Sequence, residues 1–271
     1  MTREEFIEVL DEKGYSYEME GDRIVVTEGD TKGVVDLSLL KTIPPDVEFK
    51  NGGHVWLTSI KEIPPGVVFE NEWNVYLGSL ETLPPGVEFM NGGRVDLESL
   101  ETLPPGFQFK NGGYVWLKSL TSLPPGVQFR NGGNVWLNSI KTIPPGVEFN
   151  NNGHVLLGSL ETLNPGVVFK NEGYINLESL EELHPGVVFK NKGYVDLDSL
   201  ETIHTGVVFE NGGNVWLNSI KAIPPGVVFG NEVSVYLGSL IGVWFHQWYG
   251  NIEGIASNRL LNFMISKEMF I

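Results

Sequence analysis

Three carboxylates, Glu178, Asp196 and Asp198, recur at a spacing of about one 20-residue repeat and are brought together by any fold that coils once per repeat. Paired carboxylates hold a cation or divide acid and base roles in glycoside hydrolysis. Ten serines, from Ser59 to Ser239, form a row of candidate nucleophiles, but no histidine and acid travel with any one of them. His54 and His154 are a hundred residues apart, and His184 and His204 align at a turn where proline stands in other repeats. None of the five histidines has H-x-x-x-H spacing, and the chain has no cysteine. The Asn-Gly-Gly triplets belong to a repeating corner rather than a phosphate cradle. The expected outcome is no catalytic residue, no metal ligand and no cofactor. The carboxylates read as a solvated patch, and the serines as hydroxyls bonding backbone at a bend.

The elements that position these groups follow from one period. Between Lys41 and Leu240 the chain falls into ten units of 20 residues without insertion or deletion, preceded by a half unit over 33–40. The unit reads x-x-Leu/Ile-Pro-Pro-Gly-Val-x-Phe-x-Asn-x-Gly-x-Val-x-Leu-x-Ser-Leu/Ile. Such a period specifies a solenoid. Each unit holds two segments of period two, such as Val147-x-Phe149 and Val155-x-Leu157, which send Val, Phe and Leu inward. The apolar residues then recur every third position, as in Leu57, Ile60 and Ile63. That spacing suits a tight, turn-rich or 3₁₀-like wall, stopped by Pro64 and Pro65.

Asn occupies one place in all ten units, from Asn51 to Asn231. An amide there can bond the turn backbone and the equivalent amide one coil away. The glycine two residues later, as in Gly53 or Gly113, is expected to take a positive φ or to fill a crowded corner; Trp73 and Val233 break that rule.

The segments Val55-x-Leu57-x-x-Ile60-x-x-Ile63-Pro64 and Val135-x-Leu137-x-x-Ile140-x-x-Ile143-Pro144 resemble part of a leucine-rich repeat. The family's usual Asn offset falls instead near Ile60 or Ile140. The resemblance implies a curved solenoid that binds proteins along a strand-lined face. The fold class is thus predominantly β: a capped single-domain solenoid with two short parallel strands per coil, either a two-sheet β-solenoid or leucine-rich-repeat-like. Residues 1–32 are expected to form an N-terminal helix and strand cap, with Thr2 and Glu5 as a capping box. Residues 33–240 form the solenoid, and 241–271 an aromatic and helical C-terminal cap that covers the last open strand edge.

The residue between the inward Val and Leu of the second strand gives an outward column that includes Trp56, Tyr76, Trp116, Trp136, Trp216 and Tyr236. At about 4.8 Å per parallel strand the column runs roughly 45 Å. Aromatic patches mark recognition sites, so these six are the expected partner-binding residues. Flanking His54, Arg94, Tyr114, His154, Tyr174 and Tyr194, with Asn74, Asn134 and Asn214, add an aromatic and amide surface suited to sugars. On the first strand, outward Val168, Val188, Val208 and Val228 suggest an apolar docking ridge.

Composition narrows the partner. The 271 residues carry 18 Lys and Arg against 34 Asp and Glu, a net charge of -16, with 41% hydrophobic residues to build a core. Binding to a nucleic-acid backbone or an anionic membrane is disfavoured. The leading function is noncatalytic protein recognition; a glycan-binding module is second, and homo-oligomeric self-association or an acidic nucleic-acid mimic ranks lower. The mimic fits poorly, because the first forty residues alone hold eleven acidic against four basic residues. With neither a signal-like start nor a long apolar run, a cytoplasmic location is expected.

Overall fold

The computed structural model describes residues 1–238. The segment 241–271, expected to cap the C-terminal end, lies outside the described residues. What precedes it is a β-solenoid with one 20-residue unit per coil. Helix α1 (Arg3–Lys13) starts at Thr2, whose Oγ1 accepts from the Glu5 N–H at 3.2 Å, while the Thr2 N–H donates to Glu5 Oε2 at 2.8 Å. Gly14, at φ 68°, ends the helix, and Phe6 and Leu10 are buried against the first coil.

Strands β1 (Ser16–Glu20) and β2 (Arg23–Glu28) form an antiparallel hairpin that opens a 12-stranded sheet. All later strands of that sheet are parallel, one per coil, from Val47–Phe49 to Val228–Phe229. The hairpin therefore turns the free edge into β1, which carries Glu18 and Glu20; charge on an edge discourages pairing with another chain. The second strands, Val35–Asp36 to Val235–Tyr236, form an 11-stranded sheet.

The third wall differs from the expected 3₁₀-like run. A typical coil makes one tight turn, as where the Ile140 N–H donates to Leu137 O at 3.2 Å, and then extends into parallel bridges, as between Glu62 and Thr82. These lengthen into two-residue strands at Thr142–Ile143 with Thr162–Leu163, and at Glu182–Leu183 with Thr202–Ile203. The reason lies in the next residue. Proline there has no N–H, whereas Asn164 donates to Ile143 O at 3.2 Å and His204 to Leu183 O at 3.0 Å. At Asn164 and His204 the regained N–H adds the bond that turns a bridge into a ladder, whereas His184 makes no such bond and the two short ladders stay separate.

The core is a stack of rings. Phe129 lies 5.4 Å from Phe109 and 5.1 Å from Phe149, with interplanar angles of 5° and 2°, and the series runs from Phe49 to Phe229. One step is wider: Phe89 and Phe109 are 6.1 Å apart. There Phe107 replaces the usual valine and packs edge-on against both rings.

The asparagine row is buried as expected, but its bonding is different. Asn131 Nδ2 donates to Gly113 O of the preceding coil and to Gly133 O of its own, both at 2.9 Å. No described amide pairs with its equivalent; Oδ1 of each ladder residue from Asn51 to Asn211 is buried without a hydrogen-bond partner. The nearby glycines resolve as the crowded corner, not as positive φ. A Cβ on Gly193 would lie 2.5 Å from the backbone of Gly173 and Tyr174. The positive φ falls on the glycine at position 6 of the unit, from Gly66 to Gly226, with Asp46 at φ 56° in the first coil.

Candidate functional site

Alternation along each second strand sends positions such as Tyr114, Trp116 and Lys118 to one outer face, and in-register pairing stacks them coil on coil. Trp116 and Trp136 pair directly, with rings 5.1 Å apart and 10° from parallel. Trp56 meets Tyr76 edge-on at 6.1 Å. Between these pairs Arg94 spans from the Tyr76 ring (5.1 Å) to the Trp116 ring (5.6 Å) and bonds Asp96 at 3.1 Å. Where Leu156 and Asn176 interrupt the column, the flanking column continues it: His154 on Tyr174 at 3.9 Å, Tyr174 on Tyr194 at 4.6 Å and Tyr194 on Trp216 at 4.7 Å.

This packing corrects the picture of a fully open aromatic surface. Among the described residues most aromatic rings, the phenylalanines above all, lie in the core. Of the six column residues Trp56 (39% exposed) and Tyr236 (45%) are open, while Tyr76, Trp116, Trp136 and Trp216 are half-buried by their neighbours. Trp73 adds a ring that is 57% exposed, edge-on to His54. The sequence signal for it is the same broken glycine rule noted above.

The flanking amides and imidazoles have structural work. Asn74 Oδ1 accepts from the Arg94 N–H at 2.8 Å, Asn134 Oδ1 from His154 at 2.9 Å and Asn214 Oδ1 from Ser234 at 3.2 Å. His54 and His154 use Nδ1 in the same way, accepting the N–H of Asn74 at 3.2 Å and of Tyr174 at 3.1 Å. An imidazole that accepts at Nδ1 has no proton there, and burial lowers the His154 pKa in the same sense. These residues hold the next coil, which takes their acceptors away from a sugar.

The acidic patch is assembled as its spacing suggested. The Asp198 N–H donates to Asp196 Oδ1 at 3.2 Å, and Asn218 Nδ2 donates to Asp198 Oδ1 at 2.6 Å. Burial raises the Asp196 pKa, and the charges of Asp198 and Glu178 add to the effect against the help of the Asp198 N–H. The folded pKa stands above the ordinary one, so ionised Asp196 costs stability once the pH exceeds the unfolded value. Asp196→Asn should therefore raise the melting temperature at neutral pH. The gain should shrink toward zero as the pH falls below the ordinary carboxyl range; a variant that melts lower at neutral pH would refute the assignment.

On the first sheet, Val168, Val188, Val208 and Val228 form one in-register row. The first three are half-buried and Val228 is 48% exposed. The sealed part of this face is at the other end, where Val25, Glu48 and Val68 are buried. Glu48 bonds Arg23 at 2.7 Å and Lys50 at 2.6 Å. Burial works to raise its pKa, but the bonds from Lys50 and Arg23 outweigh it and hold the carboxylate down. Within the serine row the expected bond to backbone is seen at Ser179, whose Oγ donates to Gly158 O at 2.5 Å.

The third wall brings together Glu182, His184 and His204, with one ligand atom from each lying within 4.8 Å of the others. Chain spacing singles out the two histidines but not Glu182, because its proximity to His204 depends on the parallel register of the wall.

Fold and face together define a β-solenoid repeat protein of 20-residue coils. No family model matches the chain, and no curated protein or solved structure matches it. Among the described residues, no helix is long and apolar enough to cross a membrane.

Proposed function

We propose that this chain is a noncatalytic recognition scaffold that binds a protein segment along the outer face of the second sheet. The observation that carries the reading is the locked stack of Trp116 on Trp136, continued by Arg94 toward Tyr76. Rings held by register lose little freedom on binding, and such preorganisation reduces the entropic cost of association. Toward the C-terminal end the face carries Glu178, Asp196 and Asp198, none of them in an ion pair with Lys or Arg in the pairs seen. A segment with basic and apolar side chains complements both halves, and the net charge of -16 repels anionic partners.

Glycan binding gains less from this arrangement. A sugar stacks on an open ring face, and the paired indoles turn their faces to each other. The test compares the intact protein with the Trp116→Ala/Trp136→Ala double variant in capture from native cell lysate, with circular dichroism to establish that both are folded. A protein partner held by the intact chain and lost from the folded variant is expected. Equal capture by both removes the aromatic face from the interaction, and capture of glycans alone favours the second reading.

A further inference from the structure

The third wall departs from its own repeat at one place. Position 4 of the unit is proline in seven coils, from Pro44 to Pro144 and again at Pro224, and Asn164 in one; it is histidine only at His184 and His204. Two residues before His184, a position mostly held by threonine holds Glu182. In an extended strand residues two apart share a face, so Glu182 and His184 project together. Parallel pairing of Glu182–Leu183 with Thr202–Ile203 then sets His204 beside His184 in the next coil.

The result is compact. His204 Nε2 lies 2.6 Å from Glu182 Oε1, and His184 Nδ1 lies 4.0 Å from the same oxygen. The two imidazole rings are stacked 5.6 Å apart at 18°. All three residues are exposed or half-buried, so an ion can enter and water can complete its shell.

We propose that Glu182, His184 and His204 form a binding site for a divalent transition-metal ion, of which Zn2+ is the best match. Two imidazoles and one carboxylate are a ligand set for Zn2+, with metal–ligand distances of about 2.0–2.2 Å and a fourth position left to water. Tetrahedral ligands at that distance are roughly 3.4 Å apart. Side-chain rotation is the movement that would close the present spacing, since Glu182 is exposed and both histidines are only half-buried. The carboxylate supplies the charge, and the bond between His204 and Glu182 gives way to shared coordination. An ion held across two coils also ties them together at the point where position 4 of the unit has lost its proline.

The bland reading is a solvent-exposed ion pair between His204 and Glu182, which is worth little. It accounts for His204 at 2.6 Å but holds His184 only at the 4.0 Å limit, with its ring stacked on that of His204. The remaining described histidines do not compete, because His54 and His154 spend Nδ1 on backbone N–H groups of the next coil.

The experiment is calorimetric titration of the full chain with Zn2+ at neutral pH, alongside H184P/H204P and E182T. Each substitution installs the residue that the repeat carries elsewhere, so the coil geometry is one the fold already uses, and circular dichroism checks it. One Zn2+ per chain is expected. H184P/H204P should lose at least the roughly tenfold in affinity that even an outer partner commands, and E182T should weaken binding in the same direction. Zn2+ should raise the melting temperature of the intact chain and not that of H184P/H204P. Absence of binding by the intact chain, or unchanged affinity and stoichiometry in the folded H184P/H204P variant, overturns the proposal.

Discussion

Asn131→Asp is expected to be among the most damaging single-atom changes in this protein. Asn131 is fully buried, and its Nδ2 donates to two carbonyl oxygens at 2.9 Å. An aspartate oxygen in that place faces those carbonyls as acceptor against acceptor, with no cation in the ladder to neutralise it. Leaving a buried charge uncompensated costs on the order of 3–5 kcal/mol. The carboxyl escapes by staying protonated, so its folded pKa rises above its unfolded one. Stability is then lost progressively as the pH climbs above the ordinary value near about 3.9, and is partly recovered on acidification. Asn131→Ala separates charge from bonding: it orphans the same carbonyls at about 1–3 kcal/mol each without adding a charge. Urea midpoints at neutral and acid pH test this. The aspartate variant should be the weaker at neutral pH and should approach the alanine variant in acid; equal stability of Asn and Asp at neutral pH would falsify the account of the ladder.

Phe129→Ala should cost about 3–5 kcal/mol. The spread in such substitutions reflects how far the surroundings collapse into the space left behind. Here they have little room to do so, because the first sheet pairs Gln128 and Phe129 in register with Gln108 and Phe109 below and with Glu148 and Phe149 above. The coils cannot close the gap without breaking ladders on the other walls. In a fold where each coil touches only its neighbours, the loss is also local. Hydrogen exchange should show faster opening in the coils next to Phe129 than in the hairpin of β1 and β2. A uniform rise across the chain, or an unfolding midpoint within error of the parent, would contradict this.

Much of this architecture was legible in the sequence, and the parts that were not share a cause. The period of 20, the inward Val, Phe and Leu, and the buried row from Asn51 to Asn231 follow from residue type and spacing. Spacing also paired Trp116 with Trp136, since parallel coils in register place equal positions side by side. It did not reveal which way a side chain turns. Asn131 has a donor and an acceptor, and only the folded stack decides that the donor is used and Oδ1 is not. His54 and Asn74 looked like surface groups for a ligand, yet each accepts a backbone N–H of the following coil. In the third wall proline's missing N–H marks only a stop, whereas the gain of an N–H at Asn164 and His204 makes a strand. Glu182 is not legible in the same way, because its hydrogen-bond partner His204 is 22 residues away along the chain and adjacent only in the stack.

The asparagine ladder also bears on how this protein ages. An Asn-Gly sequence is prone to lose its amide when the glycine nitrogen attacks the asparagine side-chain carbon and closes a succinimide ring. Asn91-Gly92, Asn111-Gly112, Asn131-Gly132 and Asn211-Gly212 all carry that sequence in the ladder. In the fold each of these glycine N–H groups donates to the asparagine carbonyl one coil earlier, at 2.7–2.9 Å for Gly112, Gly132 and Gly212. The amide is meanwhile held on the other side by its bonds to the corner carbonyls. The nucleophile and its target are both immobilised, so ring closure waits for a coil to open. Deamidation of these residues is therefore a covalent record of past unfolding, and because it installs a carboxylate in the ladder, a coil that opens long enough to react does not close as it was.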